Sequence, residues 1–359
     1  MADPVRQVAQ AVLYEGYLLW PYRRSALKNQ HRWTIGGVYP ASYGTDLMQT
    51  QCLVVADPDA TVDVEVRFLH VVTRDVARCH GGQLENVAEL TVGTQRYLAW
   101  EEATEREVVA GGLPVAGLPG QPCQVPVQVD AGTDTEWLTD AHGQRAGAVV
   151  RGWRELSGRV DIGAEPVAAG IHRLTVRVAN TIPWRGQDRT EALHRTFVSA
   201  HTVIHADRAQ LVSLTDPPRG LAALAEGCRN IGAWPVLIGA EGECHTMLSA
   251  PIILPDYPQV APESPGDLFD ATEIDQLLTL NILTLGDDER QEMRDSDPRA
   301  RAILDRCATL TQDQLMLLHG RLREVGPGAK QDQLMPVEGG RHGRSREVAP
   351  PAGSGVSSR

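Results

Sequence analysis

Between Thr61 and Thr73 the chain reads TVDVEVRFLHVVT, with an apolar residue at every second position. Val62, Val64, Val66 and Phe68 alternate with Asp63, Glu65 and Arg67. That period belongs to a strand with one face in a core and the other towards water. MQTQCLVV (48–55) predicts a strand before it, and ADPDA supplies the Asp/Pro chemistry of a turn between the two. Further strands are predicted around 88–100, 123–129, 147–163, 171–181, 192–206 and 209–214. EEATERE (101–107) is too polar to continue the pattern and reads as a connection into the loop AGGLPVAGLPGQP. Seven or more short strands with Gly/Pro/Asp turns and no intervening helices predict a mainly β domain, a β-sandwich or open barrel, over 48–215.

The pattern changes near Asp216. Residues 216–269 read as a proline-rich strap, with five prolines between 249 and 270 that exclude a regular helix or central strand. From Asp270 the apolar spacing becomes helical. Ile274, Leu277, Leu278 and Ile282 share one face of a helix over 270–285, with Asp270 or Thr272 as N-cap. Two more helices are predicted before 325, with Pro298 suited to a first turn. The 326–359 stretch is rich in Gly, Pro, Ser and Arg and predicts a disordered tail. Residues 1–47 form an N-terminal aromatic and basic segment. The overall class is α+β, mainly β, with a small C-terminal helical region.

Charge narrows the function. The 359-residue chain carries a formal net charge of −12, which argues against a broad nucleic-acid or anionic-membrane surface. No apolar run is long enough to span a membrane, and the N-terminus lacks the apolar core of a secretory signal, so a cytoplasmic location is expected. None of the six cysteines forms a CxxC pair, so reduced thiols and no cofactor are expected. The P-loop, GxGxxG, GxSxG and HExxH signatures are absent from the sequence.

Two candidate metal arrangements remain. Cys79-His80 and Cys244-His245 are adjacent Cys-His pairs, and His201 and His205 share a face if their segment is a strand. His194, seven residues before His201, would face the other way. A site built from His201, His205, Cys244 and His245, or from the carboxylates near Asp267, would suit a metal-dependent hydrolase. Scattered thiols and a solvated strand face account for the same residues without a metal.

One stretch breaks the acidic, aromatic-poor background. YEGYLLWPYRRSALKNQHRW (14–33) holds Tyr17, Trp20, Tyr22, Arg23, Arg24, Lys28, His31 and Trp33. Tyr, Trp and Arg are the residue types that dominate protein–protein hot spots. The same types stack on bases, but the net charge favours a protein partner. A complementary acidic surface is expected from Glu263, Asp267, Asp270, Glu273 and Asp275, although carboxylates near helix starts also serve the helix dipole.

The segments 14–40 (YEGYLLWPYRRSALKNQHRWTIGGVYP) and 246–285 resemble uncharacterised actinobacterial-type proteins associated with NiFe-hydrogenase gene clusters. The resemblance extends to about residue 325. It implies an accessory role in assembly, maturation or scaffolding of a redox enzyme, and it transfers no catalytic residue. The chain lacks the paired CxxC motifs of a NiFe centre. The expectation is a non-enzymatic protein that binds a protein partner, with hydrogenase subunits as the candidates. Oligomeric state is not readable.

Overall fold

The computed structural model describes residues 4–14, 34–258, 282–296 and 298–309. These lie within one compact unit, Met1–His319. The chain starts with helix α1 (Pro4–Tyr14) and enters β1 (Leu47–His80), a strand of 34 residues. Short strands β2 (Gln83–Val87), β3 (Glu89–Val92) and β4 (Gln95–Leu98) lead to β5 (Trp100–Pro114). Then follow β6 (Cys123–Val129), β7 (Gly132–Thr139), β8 (Arg145–Trp153), β9 (Leu156–Ala168) and β10 (Ile171–Asn180). Helix α2 (Arg189–Leu193) precedes β11 (Val198–Leu211), helix α3 (Ala222–Ala225), β12 (Trp234–Leu237) and β13 (Thr246–Ala250). Helices α4 (Asp287–Ser296) and α5 (Pro298–Thr309) complete the described elements.

The expected mainly β, α+β class is what the structure has. Eleven strands form one antiparallel sheet with the path β12-β13-β11-β1-β10-β9-β6, while β2, β5 and β8 also pair with β1, and β7 pairs with β8. Strands β3 and β4 form a separate ribbon. Met48, Cys52 and Val54 from one half of β1 and Val62, Val64, Val66 and Phe68 from the other enter the same core. They meet Val160, Ile162, Leu174, Val176, Val178 and Ile204 from neighbouring strands, which gives the sheet its sandwich-like form. Phe68 and Phe197 pack with ring centroids 4.6 Å apart. Burying each such ring contributes about 1.5–3 kcal/mol.

Three local expectations need correction. ADPDA does not reverse the chain. The Ala56 N–H donates to Gly170 O, and the Val115 N–H donates to Ala60 O. With its backbone groups paired, the segment bends through a register shift between Ala56 and Thr61 instead of turning back. EEATERE is not a connection but part of β5, which pairs with β1 from Thr61↔Pro114 to Arg74↔Trp100. Its charged side chains lie on both faces, several half-buried in ion pairs with neighbouring strands, so the strand lacks an alternating apolar signal. The stretch 192–206 is not strand throughout, because residues 189–193 form α2.

The outer face of β1 is roofed by helices. Leu13 and Tyr14 of α1 join Leu69, Val71, Leu193 and Val198, together with Met293, Ala300, Ile303 and Leu304 of α4 and α5. Val8, Ala9 and Val12 pack on Ile238, Leu248 and Ala250. Pro298 opens α5, as its fixed φ favours. The 216–269 stretch is not strap throughout: β12 and β13 within it extend the main sheet, β13 lying between β12 and β11, and only the residues after β13 run along edge strand β12. Asp256 Oδ1 accepts from the Leu237 N–H at 2.8 Å, and the Tyr257 N–H donates to Leu237 O at 2.7 Å. These bonds, with Pro235 in the strand, cap that edge against further pairing. The 270–281 part of the predicted helix, the last helix predicted before 325 and the 326–359 tail lie outside the described residues. Among the described residues no helix is long and apolar enough to cross a membrane.

Gly158 in β9 marks where the layers approach most closely. A Cβ there would lie 2.5 Å from Ala179 O and 2.6 Å from the Phe197 ring. Gly163, in the same strand, would meet only Pro122 Cβ, at 3.7 Å. Gly158→Ala is therefore expected to lower unfolding stability by about 1–3 kcal/mol. Gly163→Ala should change it little. Denaturant melts of the two variants check this, and equal effects would contradict the assigned packing.

Candidate functional site

The aromatic and basic residues Tyr17, Trp20, Tyr22, Arg23, Arg24, Lys28, His31 and Trp33 lie outside the described residues, as do Glu263, Asp267, Asp270, Glu273 and Asp275. The points where the chain enters and leaves residues 15–33 are described. At Ser199, β11 bulges: its pairing with β1 shifts between Arg67 and Leu69, and Ser199 adopts φ 53°. The Ser199 hydroxyl donates to Val12 O, near the end of α1, and the Ala200 N–H donates to Gly36 O. Gly36, at φ 68°, packs so closely on Pro251 that a Cβ would sit 2.3 Å from its ring. Val38 then bridges to Phe197. The glycines of TIGG thus serve close packing.

The candidate metal residues are dispersed. His201 and His205 do share a face of β11, but His201 is buried beside Arg67 and His205 is exposed. His201 is fully buried, with Nδ1 3.3 Å from Ser199 O and Nε2 without a hydrogen-bond partner among the described residues. Burial, reinforced by Arg67, holds its pKa down to about 4. His205 is exposed, and its Nδ1 lies 3.0 Å from Thr246 Oγ1. His245 Nδ1 contacts Ala209 O at 3.1 Å, while Cys244 packs against the main core. Cys79 and His80 sit at the far end of β1, in the β1–β2 hairpin. Among the described residues no group of three or more His, Cys, Asp or Glu side chains comes together to hold a metal ion.

Beside His201 lies a polar cluster that fastens α1. Arg67 is 4% exposed and donates to Gln10 Oε1 at 2.7 Å and Glu105 Oε2 at 3.3 Å. Glu65 lies 3.5 Å from it. The Tyr14 hydroxyl and the Gln10 amide both donate to Glu105 Oε1 at 2.8 Å. Burial, followed by the neighbouring Glu107, pushes the Glu65 pKa up. A guanidinium this deep is tolerated only because its charge is compensated.

A concave site with open polar groups was not foreseen from the sequence. A cleft of about 530 Å³ lies between β1, β7, β8 and α2. Thr73 and Asp75 of β1 face it, beside Thr133 of β7 and Trp153 of β8. Arg154, Glu191 and His194 close another side. Two glycines keep it open. A Cβ on Gly152 would lie 3.0 Å from Thr73 Oγ1, and one on Gly132 would lie 2.6 Å from the Trp153 indole. The indole is fixed by its N–H, which donates to Asp130 O at 3.0 Å.

His194 is the buried end of this site, 5% exposed, with Nε2 3.0 Å from Glu101 Oε1. It follows α2, whose N-cap Asp188 accepts from the Glu191 N–H at 2.8 Å. Glu191 in turn accepts from Arg154 and Arg195, and those bonds hold its pKa down to about 2. Behind the cleft, His70 is completely buried, and neither ring nitrogen has a hydrogen-bond partner among the described residues. Burial, with Arg106 adding to it, lowers its pKa to about 4. The signal available for α2 was the Asp188-x-x-Glu191 pattern, a capping-box spacing. A helix of five residues is too short to show periodicity.

The fold and cleft define an antiparallel, sandwich-like β protein with helices packed on one face. No family model matches the chain, and no curated protein matches it significantly.

The buried histidines fix a pH dependence. His70 and His201 are held near pKa 4 in the folded protein, against 6.5 for a free ring. Between those values the unfolded chain binds protons that the folded protein does not, so stability falls as pH falls from about 6.5 towards 4. Glu191 has the depressed pKa of a paired carboxylate. Its contribution is complete above about 4.5 and is lost as pH falls towards 2. His201→Leu is expected to remove about one proton from the linkage in the upper window while leaving the lower phase intact. Urea melts over that pH range measure it, and an unchanged slope would overturn the assignment.

Proposed function

We propose that this is a non-enzymatic accessory or scaffold protein of the cytoplasm that binds another protein through residues 17–33. One observation carries the reading: both ends of that segment are tied to a single bulge of β11. The chain leaves from α1, held at Val12 by Ser199, and returns at Gly36, held by Ala200. Tyr14, the last residue of α1, is fully buried. A sequence rich in Tyr, Trp and Arg, fastened at both ends to a rigid sheet, suits recognition because anchoring lowers the entropy lost on binding. The net charge of −12 disfavours nucleic acid as the partner. The resemblance of segments 14–40 and 246–285 supports a redox enzyme, with NiFe-hydrogenase subunits as the first candidates. Glu263, Asp267, Asp270, Glu273 and Asp275 would form a second, acidic surface.

Affinity-tagged full-length protein, recovered from cells that express a hydrogenase, tests this directly. Wild type is expected to co-purify hydrogenase subunits. Arg23→Ala/Arg24→Ala should reduce that recovery about tenfold or more, as loss of two hot-spot arginines does. Equal recovery with the double variant removes the segment from the interface. Absence of hydrogenase subunits from the wild-type eluate removes the partner.

A further inference from the structure

The cleft between β1, β7, β8 and α2 has a chemical bias that the partner-binding reading does not use. Its polar groups are mainly acceptors. The Glu101 carboxylate can only accept from His194, so in the neutral imidazole Nε2 carries the proton and Nδ1 presents a lone pair. That Nδ1 has no hydrogen-bond partner among the described residues, although His194 is only 5% exposed and lines the cleft. The Thr73 hydroxyl donates its proton to Gly152 O at 3.0 Å and so offers only lone pairs. The Asp75 carboxylate, exposed on the same face of β1, has no ion pair or hydrogen bond among the described residues.

The sign of the site follows from what its cation is doing. Arg154 donates to Glu191 Oε1 at 2.7 Å, and Glu191 also holds Arg195. Glu191 neutralises most of the Arg154 charge, so an anion entering here would gain little from that guanidinium and would face Asp75. A cation would meet a free carboxylate, an imidazole lone pair and the Trp153 indole. Charge-assisted hydrogen bonds are about twice as strong as neutral ones, and an aromatic face adds cation–π attraction. A neutral polyol could use the same acceptors but would gain neither effect.

We infer that this cleft is a binding site for an organic cation, a primary ammonium or guanidinium group on a short aliphatic chain. Asp75 is its counter-charge, and His194, oriented by Glu101, accepts one of its N–H groups. Glu101 acts as a positioning residue, fixing the tautomer. Gly132 and Gly152 supply the space.

Agmatine and cadaverine, titrated into the full-length protein and followed by calorimetry, are the probes, with glutarate and glucose as anionic and neutral controls. Saturable one-site binding is expected for the two cations alone. Asp75→Asn should weaken it about tenfold or more, the scale of losing a charged hydrogen-bond partner. Gly152→Val should abolish it by filling the floor. Asp75 is exposed, so its variant tests the site even if Gly152→Val fails to fold, and thermal melts distinguish those cases. No saturable binding of either cation, comparable binding of glutarate or glucose, or full affinity in Asp75→Asn would each overturn the inference. None of these results bears on recovery of a protein partner, so the two readings fail separately.

Discussion

The pairing demands of β1 set the rest of the structure. A strand of 34 residues has N–H and C=O groups along both edges, and each buried one must find a partner. Five strands meet that demand in succession: β10 and β11 on the first half, then β5, β8 and β2. No straight sheet could accept them all around one core, so the strand bends between Ala56 and Thr61. Its inward residues from Met48 to Phe68 then converge on a shared interior. The outward residues change character along the length. Glu65 and Arg67 form the polar seat of α1, and Leu69 and Val71 enter the cluster with α4 and α5. Thr73 and Asp75 open onto the cleft. One strand therefore distributes helix docking and the cleft along a single face.

The polar seat under α1 has a different role from the apolar clusters around it. Val8, Ala9 and Val12 would be satisfied by many helix orientations on an apolar sheet. Arg67 accepts fewer. Its guanidinium must reach Gln10 and Glu105 together, while Tyr14 reaches Glu105 from the next turn. Such a network adds little net stability against a hydrophobic replacement, because desolvation offsets much of the Coulomb gain. It does make misplacement of the helix costly, since a shifted α1 would take from Arg67 its bond to Gln10 and from Glu105 its bond to Tyr14, although Glu65, Glu105 and Glu107 would still balance the charge. That constraint, with the Ser199 bond to Val12 O, fixes where the chain departs from the sheet.

The sequence exposed those parts of the fold in which one element carries its own periodic signal. TVDVEVRFLHVVT is a strand because its alternation is internal, and Pro298 opens a helix because its ring fixes φ locally. Where the outcome depended on a distant partner, local reading failed. ADPDA looks like a turn until Gly170 and Val115 take up its backbone groups. EEATERE looks like a connection until β1 supplies a ladder for it. The histidines show the same limit. His201 and His205 share a face, as their spacing predicts, but tertiary packing buries one and leaves the other exposed. His194 was assigned to the wrong element altogether, since α2 is one turn long.

The cleft was illegible for a further reason: its form depends on side chains that are missing. Glycine within a strand normally costs stability and reads as a weak point or a bulge. Gly152 sits opposite Thr73 in the β1–β8 ladder and opposite Thr133 in the β7–β8 ladder. Any larger residue would press on the Thr73 hydroxyl. Gly132 leaves room for Trp153 in the same way. A sheet with side chains at both positions would have better strand propensity and a flat, filled surface. Their absence turns part of a flat sheet into a concavity, with Asp75 and His194 on its walls. Sheet propensity alone would favour filling it, but Gly132 gives its space to the Trp153 ring and Gly152 leaves room for the Thr73 hydroxyl, so local packing holds the floor open.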